Sequence, residues 1–132
     1  MIHLDTSVLL DALTGPKRSE PRLRGLIDDG ERIVLSVLVL YEWRRGPRLP
    51  EEIADQEALF PSADAVPFGT NEALLAAKLY GAIKRPRGRE IDIAIAACAM
   101  ADQSQLWTLN LADFRDIAGL RLLNDTPDSD GR

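Results

Sequence analysis

Four acidic residues stand inside, or directly after, stretches whose apolar pattern predicts burial: Asp5, Glu42, Asp92 and Asp113. Two of them follow strand-like segments at residues 1–4 and 106–109, and two lie within the apolar segments 37–43 and 91–101. A buried carboxylate is unfavourable unless it is paired with a cation or binds a metal. Since the four acids belong to separate elements, they predict one pocket for a divalent metal ion that supports hydrolysis.

Taken singly, each acid also has an ordinary structural explanation. Asp5 is a common type of helix N-cap, and Asp92 could complement the positive N-terminus of its helix. Glu42 could pair at a helix edge with Arg45, three positions further on. Asp113 could be a surface residue of a short helical turn. The metal-site interpretation therefore depends on the four acids together.

The remaining sequence speaks against most other hydrolytic chemistries. His3 is the single histidine and lies between Ile2 and Leu4 in a predicted strand, so we expect a structural role for it. A ribonuclease mechanism based on two histidines is excluded, and cysteine–histidine or serine–histidine nucleophiles are disfavoured. There is no G-x-x-x-x-G-K-[ST] phosphate loop, which argues against nucleotide triphosphate hydrolysis. Metal-activated water is the route that is left.

Composition predicts one folded domain in a reducing compartment. A chain of 132 residues with 45% hydrophobic residues can build one sizeable core. The single cysteine, Cys98, excludes an intramolecular disulfide and any zinc site made of several cysteines, and its apolar surroundings predict a buried core position. No signal peptide and no apolar stretch of membrane-spanning length is visible, so we expect a soluble, cytoplasmic protein.

Charge is distributed unevenly around the predicted pocket. The net charge of −5 argues against a wholly basic nucleic-acid-binding surface. Three arginines closely follow Glu42, namely Arg44, Arg45 and Arg48, and four basic residues run into Asp92, namely Lys84, Arg85, Arg87 and Arg89. Basic groups beside a metal pocket can hold a phosphate chain. We predict RNA-backbone contacts for Arg85, Arg87 and Arg89; the alternative is that they are solvated arginines in a turn.

Predicted strands and helices alternate along the chain. Strands are expected at residues 1–4, 32–35, 65–67, 106–109 and 120–123, of which 65–67 is the weakest. Helices are expected from the Asp5–Ser7 caps to about Leu13, from Ser19 to about Asp29, from Ser36 to Gly46, at 51–60, from Thr70 to about Lys84, and at 91–101, with a helical turn at 111–116. This alternation predicts an α/β fold with a mainly parallel central sheet flanked by helices.

In such a sheet, ligands bind beyond the carboxyl ends of the strands. Asp5 directly follows one predicted strand, and Asn110 and Asp113 follow another. Asp92 lies in the first turn of its helix. All four residues are therefore expected at the same edge of the sheet.

The order and context of these residues resemble the PIN-domain family, particularly the VapC-type ribonuclease toxins of type II toxin–antitoxin modules. The resemblance rests on four segments in this order: 2–10 (IHLDTSVLL), 35–42 with Tyr41-Glu42 at its end, 92–99 (DIAIAACA) and 108–114 (TLNLADF). It covers residues 1–123, a single PIN-like nuclease domain, and leaves 124–132 as a polar tail that we expect to be flexible.

The resemblance implies an endonuclease that cleaves RNA with Mg²⁺ or Mn²⁺, forms a homodimer and is held in check by a small cognate antitoxin similar to VapB. Its three acidic ligands match Asp5, Glu42 and Asp92. For the fourth ligand we prefer Asp113, with Asn110 in support. Thr6 and Ser7 are expected to form hydrogen bonds around Asp5 or to a water on the metal. The antitoxin is expected to contact the helices at 7–13 and 21–29.

Three other interpretations remain open. The chain could be a catalytically silent PIN-like interaction domain, although the three principal acids are present. It could be a nuclease of the same fold that acts on DNA. A phosphoryl-accepting receiver domain would need neighbouring acids after the first strand, whereas Asp5 is followed by Thr6 and Ser7.

Overall fold

Four short parallel strands lie side by side at the centre of the protein in the order β2–β1–β3–β4. The computed structural model describes residues 1–123, so the predicted tail at 124–132 lies outside the described residues. The strands are β1 (Ile2–Leu4), β2 (Ile33–Val34), β3 (Gln105–Trp107) and β4 (Arg121–Leu122). The predicted α/β fold with a parallel sheet is confirmed.

Six α-helices are found in the described part of the chain: α1 (Thr6–Leu13), α2 (Glu20–Asp28), α3 (Val37–Arg45), α4 (Pro50–Leu59), α5 (Thr70–Ala82) and α6 (Glu90–Ala101). Short 3₁₀ turns occupy Ser62–Asp64 and Leu111–Asp113. The Ser36 hydroxyl accepts a hydrogen bond from the backbone N–H of Val39 and so caps α3, as predicted. Thr70 does not cap α5, because the helix already begins at this residue and its N-cap is Gly69.

The strand predicted at 65–67 is wrong, since this segment forms only an isolated bridge between Val66 and Ser36. The Val66 N–H donates to the Leu35 carbonyl at 2.8 Å, and the Val66 carbonyl accepts from the Val37 N–H at 2.9 Å. Pro67 has no N–H with which to continue the ladder. The sheet therefore ends at β2 on this side.

Helix α6 is the central helix of the fold. Its residues 93–99 are all buried, and it packs against α3, α5 and β3. A helix that is apolar on every side is stable only when protein surrounds it. Each fully buried side chain such as Ile93 or Ile95 stabilises the fold by roughly 1.5–3 kcal/mol. This burial holds the N-terminal turn of α6, and with it Asp92, in a fixed place.

His3 and Cys98 are both buried, as predicted. His3 Nε2 lies 2.7 Å from Asp102 Oδ2, which joins β1 to the C-terminal end of α6, and burial lowers the pKa of the imidazole. Burial raises the pKa of the Cys98 thiol to about 12, so the thiol stays protonated. Neither residue is available as a nucleophile. Among residues 1–123, no helix has the length and apolar character needed to cross a membrane.

Candidate active site

The carboxyl ends of β1 and β3 bring Asp5 and Thr108 together. Leu4 and Trp107 are paired in the sheet, and the Asp5 N–H donates to the Trp107 carbonyl at 2.9 Å. Asp5 is only 4% exposed. It occupies the N-cap position of α1, yet its side chain makes no capping hydrogen bond. The N-cap explanation for this carboxylate is therefore not supported.

Two hydroxyl groups hold the Asp5 carboxylate instead. Thr108 Oγ1 donates to Asp5 Oδ2 at 2.7 Å, and Ser7 Oγ donates to the same oxygen at 2.8 Å. Each hydroxyl oxygen also accepts a backbone N–H, from Asn110 at 2.9 Å and from Leu109 at 3.0 Å. These backbone contacts orient both hydroxyl hydrogens towards Asp5. Ser7 makes the hydrogen bond to Asp5 that was expected of it. Thr108 was not identified from the sequence, because it was part of the strand predicted at 106–109, whereas β3 ends at Trp107.

Glu42 lies on α3, opposite the start of α1. Thr6 Oγ1 donates to Glu42 Oε1 at 2.6 Å, so Thr6 contacts Glu42 rather than Asp5. This difference arises because Thr6 begins α1, which packs against α3. Arg45 Nη2 is 3.6 Å from Glu42 Oε2, a looser ion pair on an arginine that is 55% exposed. Glu42 therefore pairs loosely with Arg45, as its structural explanation requires, and also lines the cleft that Asp5 and Asp92 share.

Asp92 lies in the first turn of α6, where the charges of the other three acids reach it. Its pKa is raised to about 6, first by burial and then by the negative charges of Asp5, Asp113 and Glu42, with Arg89 opposing them. An acid that merely complemented a helix N-terminus would have a lowered pKa. The charges of Asp5, Asp113 and Glu42 therefore act on Asp92, in addition to its burial.

An open cleft of about 300 Å³ runs between these elements, lined by Asp5, Thr6, Ser7, Leu10, Glu42, Arg45, Asp92 and Asn110. Asp113 is exposed on its 3₁₀ turn and does not line this cleft. The structure therefore brings three predicted acids and Asn110 together and places Asp113 further out. A larger cleft of about 380 Å³ beside β2 is formed mainly by apolar residues and holds only two charged residues, Arg32 and Asp64. Its composition does not suggest hydrolytic chemistry.

The acidic residues fit a hydrated divalent ion better than a closed metal cage. In residues 1–123, no three acidic, histidine or cysteine side chains are grouped closely enough to hold an ion as they stand. The atoms at the cleft that could ligate a metal ion are carboxylate, hydroxyl and amide oxygens, which suit Mg²⁺ and Mn²⁺. Mg²⁺ keeps several of its waters and is usually bound directly by one or two carboxylates. Carboxylates that repel one another across an open cleft are consistent with this mode of binding.

The predicted basic contacts fall into two groups. Arg85 and Arg87 are exposed in the turn that precedes α6. Arg89 is 20% exposed and pairs with Asp116 at 2.6 Å. Of the three arginines that follow Glu42, only Arg45 lines the cleft. Arg44 contacts Glu57 at 2.7 Å, and Arg48 stacks over Trp43 with 4.5 Å to the ring centroid.

Comparison with solved structures shows the same fold in several toxin–antitoxin complexes. A chain of DNA-bound VapBC from Salmonella typhimurium aligns with a TM-score of 0.76 and 23% identity, covering 92% of this chain and 96% of that one. A chain of VapBC2 from Rickettsia felis, bound to a DNA fragment from their promoter, aligns with a TM-score of 0.74 and 21% identity, covering 94% of this chain and 98% of that one. A chain of FitAcB from Neisseria gonorrhoeae aligns with a TM-score of 0.69 and 22% identity, covering 94% of this chain and 97% of that one. At these identities the likeness shows a common fold.

No curated protein sequence matches the chain. The sequence profile described as "PIN domain" matches residues 2–120, which include all four acids and strands β1, β2 and β3; β4 follows directly after the matched range. The parallel sheet, the position of the acids at its carboxyl edge and this match agree: the chain belongs to the PIN domain family.

Proposed function

We propose that the protein is a divalent-metal-dependent endoribonuclease that acts in the cytoplasm as the toxin of a VapC-type toxin–antitoxin pair. The observation that carries the proposal is the cleft shared by Asp5, Glu42 and Asp92, where burial first and neighbouring negative charges second raise the pKa of Asp92 to about 6. A site that concentrates carboxylates in this way is stabilised by a cation. The fold shared with VapBC structures and the resemblance in motif order support the toxin assignment.

The residues of the cleft would prepare the site before RNA arrives. Ser7 and Thr108 fix the orientation of Asp5, and Thr6 fixes Glu42. Asp92 must give up its proton before it can act as a ligand, and burial together with the neighbouring acids makes this proton harder to remove than that of an ordinary aspartate. A bound Mg²⁺ or Mn²⁺ lowers the pKa of a water ligand and offsets the charge that develops on the phosphate oxygens.

Arg85 and Arg87 are the proposed contacts to the RNA backbone, since both are exposed in the turn that leads into α6. Phosphate contacts weaken with salt, with a slope of roughly 0.7 per contact on single strands. Replacing both arginines with alanine should therefore lower RNA affinity for all sequences and flatten the salt dependence, as measured by titration at several salt concentrations. An unchanged slope would assign both residues to the solvated surface.

The decisive test is a cleavage assay on RNA and on DNA of the same sequence, with Mg²⁺ or with EDTA. We expect cleavage of RNA with Mg²⁺ and none with EDTA. Cleavage of DNA alone would favour a DNA nuclease of the same fold. No cleavage of either substrate by the folded protein would favour a silent interaction domain.

A small antitoxin is the proposed partner, because the structural neighbours include VapBC and a toxin–antitoxin complex from Klebsiella pneumoniae. The helices predicted to receive it, α1 and α2, border a groove of about 330 Å³ together with α4. Leu13 and Leu59 give this groove an apolar floor, and Lys17, Glu20, Arg24 and Asp55 give it charged walls. A segment folding into the groove could bring an arginine to the acids, since guanidinium pairs with carboxylates through two hydrogen bonds.

Co-expression tests the toxin assignment separately from the chemistry. We expect the chain to arrest growth when expressed alone, and expect a small protein encoded beside it to bind stably and restore growth. Replacing the partner's inserted arginine should then release nuclease activity. Harmless expression with no bound partner would contradict the toxin assignment and leave a metal-dependent nuclease standing.

A homodimer is also proposed, and the molar mass in solution, measured by light scattering, tests it.

A further inference from the structure

Arg89 connects the start of α6 to the loop that carries Asp113. Its Nη2 donates to Asp116 Oδ1 at 2.6 Å and to the Asp113 carbonyl at 2.8 Å. Its Nη1 donates to Asp116 Oδ2 at 2.9 Å and to the Arg85 carbonyl at 3.4 Å. The guanidinium therefore holds Asp116 through two parallel hydrogen bonds and holds the backbone of Asp113 with the same group.

One end of this connection is near Asp92, which lines the cleft, and the other end is the turn that carries Asp113 outside it. Arg89 is the N-cap residue of α6 and precedes Asp92 by three positions. Asp113 closes the 3₁₀ turn Leu111–Asp113, whose own hydrogen bonds are local. Phe114 and Ile117 are 1% and 3% exposed and anchor the loop in the core, but the carboxylate of Asp113 lies on the exposed side. The contacts of Arg89 fix the distance between the turn and α6.

We propose that Arg89 is a positioning residue for the metal site, which holds Asp113 where it can act together with Asp92. This inference rests on the proposed metal-dependent function and differs from a role in gripping RNA. An arginine already bound to a carboxylate through two hydrogen bonds would have to break that pair before it could hold a phosphate. Groups that orient metal ligands in this way commonly change metal affinity by about 10–100-fold when they are replaced.

The direction in which one substitution changes the Mg²⁺ affinity distinguishes positioning from a purely electrostatic effect. Replacing Arg89 with Gln removes a positive charge near the acids, so electrostatics alone predicts tighter Mg²⁺ binding. Loss of positioning predicts weaker binding, by about 10-fold. Calorimetric titration of the protein with Mg²⁺ in the absence of RNA measures the affinity directly. Hydrogen exchange of the amides at residues 111–117 in the metal-free protein should become faster in Arg89→Gln.

Two further variants make the test specific. Arg115→Gln removes the same charge from an exposed residue of the same loop and should not weaken Mg²⁺ binding. In an Asp113→Asn background, Arg89→Gln should no longer weaken Mg²⁺ binding, because the residue that Arg89 positions no longer contributes a charge.

Unchanged or tighter Mg²⁺ binding by Arg89→Gln, beside normal binding by the wild type, would overturn the role of Arg89 alone. Failure of the wild-type protein to bind Mg²⁺ would overturn the proposed function as well. A raised KM for RNA with unaltered Mg²⁺ affinity would instead assign Arg89 to phosphate binding.

Discussion

The two ends of the acidic site are built in different ways. Asp5 is 4% exposed, directly follows a central strand, and is held by hydroxyl groups from Ser7 and Thr108. Asp113 is exposed on a three-residue turn that Arg89 ties to α6 through surface contacts. A buried, hydrogen-bonded ligand keeps its geometry without the metal, whereas an exposed loop can adjust. In the proposed metal site, the inner end would therefore keep its geometry through buried hydrogen bonds, whereas the geometry of the outer end would depend on the contacts of Arg89.

The largest expected effect is at the inner end. Asp5→Asn removes one ligand charge at nearly constant volume, and metal stabilisation of a transition state amounts to several kcal/mol. Since about 1.4 kcal/mol corresponds to a tenfold change in rate, RNA cleavage should fall by about 1,000-fold. The free energy of unfolding, measured by urea titration, should change little. Asp29→Asn, an exposed site at the end of α2, is the matched control. Full activity of folded Asp5→Asn protein would refute the proposed site.

A smaller loss is expected at the outer end. Asp113→Asn should weaken Mg²⁺ binding by about 10-fold, the lower end of the range for groups that support a metal site. Asn110→Ala tests the rival position, because Asn110 lines the cleft whereas Asp113 does not. Both affinities can be measured by calorimetry. A larger loss for Asn110→Ala than for Asp113→Asn would make Asn110 the fourth ligand and reverse the preference stated from the sequence.

Thr108→Val tests whether the inner end is held rigidly. The substitution keeps the shape of the side chain and removes the hydroxyl that donates to Asp5. Loss of a hydrogen bond to a buried charged group should destabilise the fold by about 2 kcal/mol, measured by urea titration, and should weaken Mg²⁺ binding by about 10-fold. Thr108→Ser restores the donor and should recover most of both losses. Wild-type behaviour of Thr108→Val together with losses in Thr108→Ser would show that the methyl group, and not the hydroxyl, matters.

Much of the inner end could be predicted from the sequence, because local patterns determine it. Apolar segments bounded by caps and glycines predicted the parallel sheet and the helices, and an acid directly after a strand predicted the position of Asp5. The partner of Thr6 was predicted less well. Its hydroxyl contacts Glu42, 36 positions away, through the packing of α1 against α3, which no local pattern encodes.

The outer end shows the other limit of prediction. A turn rich in arginine predicts phosphate contacts at Arg89, and this remains a prediction. The sequence did not indicate that the Arg89 side chain pairs with Asp116, 27 positions further along the chain. The sequence overpredicted a strand at 65–67. In the structure only Val66 pairs with a neighbouring segment, because Pro67 has no N–H to donate to a further strand hydrogen bond. Pairing between distant surface residues depends on the assembled fold, so composition alone could not decide the role of Arg89.

The smallest expected effect concerns Asp92, which lies between the two ends and responds to the charges of both. Its folded-state pKa of about 6 is higher than the ordinary value of 3.8, so the metal-free folded protein holds this proton more tightly than the unfolded chain. Stability from this group is therefore full below pH 3.8 and is lost as the pH rises through about 6. Asp92→Asn has no proton to lose and should not show this decline.

At pH 7 and without metal, Asp92→Asn should thus be more stable than the wild type by about 1 kcal/mol, a figure reduced to allow for solvent screening of a partly exposed group. Below pH 4 the difference should vanish. Urea titrations of both proteins in EDTA at several pH values measure it. Added Mg²⁺ should reverse the order at pH 7, because the ion stabilises the folded wild type and binds the variant less tightly. If Asp92→Asn instead destabilises the metal-free protein at pH 7 and responds fully to Mg²⁺, Asp92 serves the helix and not the metal, and the inner and outer ends of the site are not coupled through it.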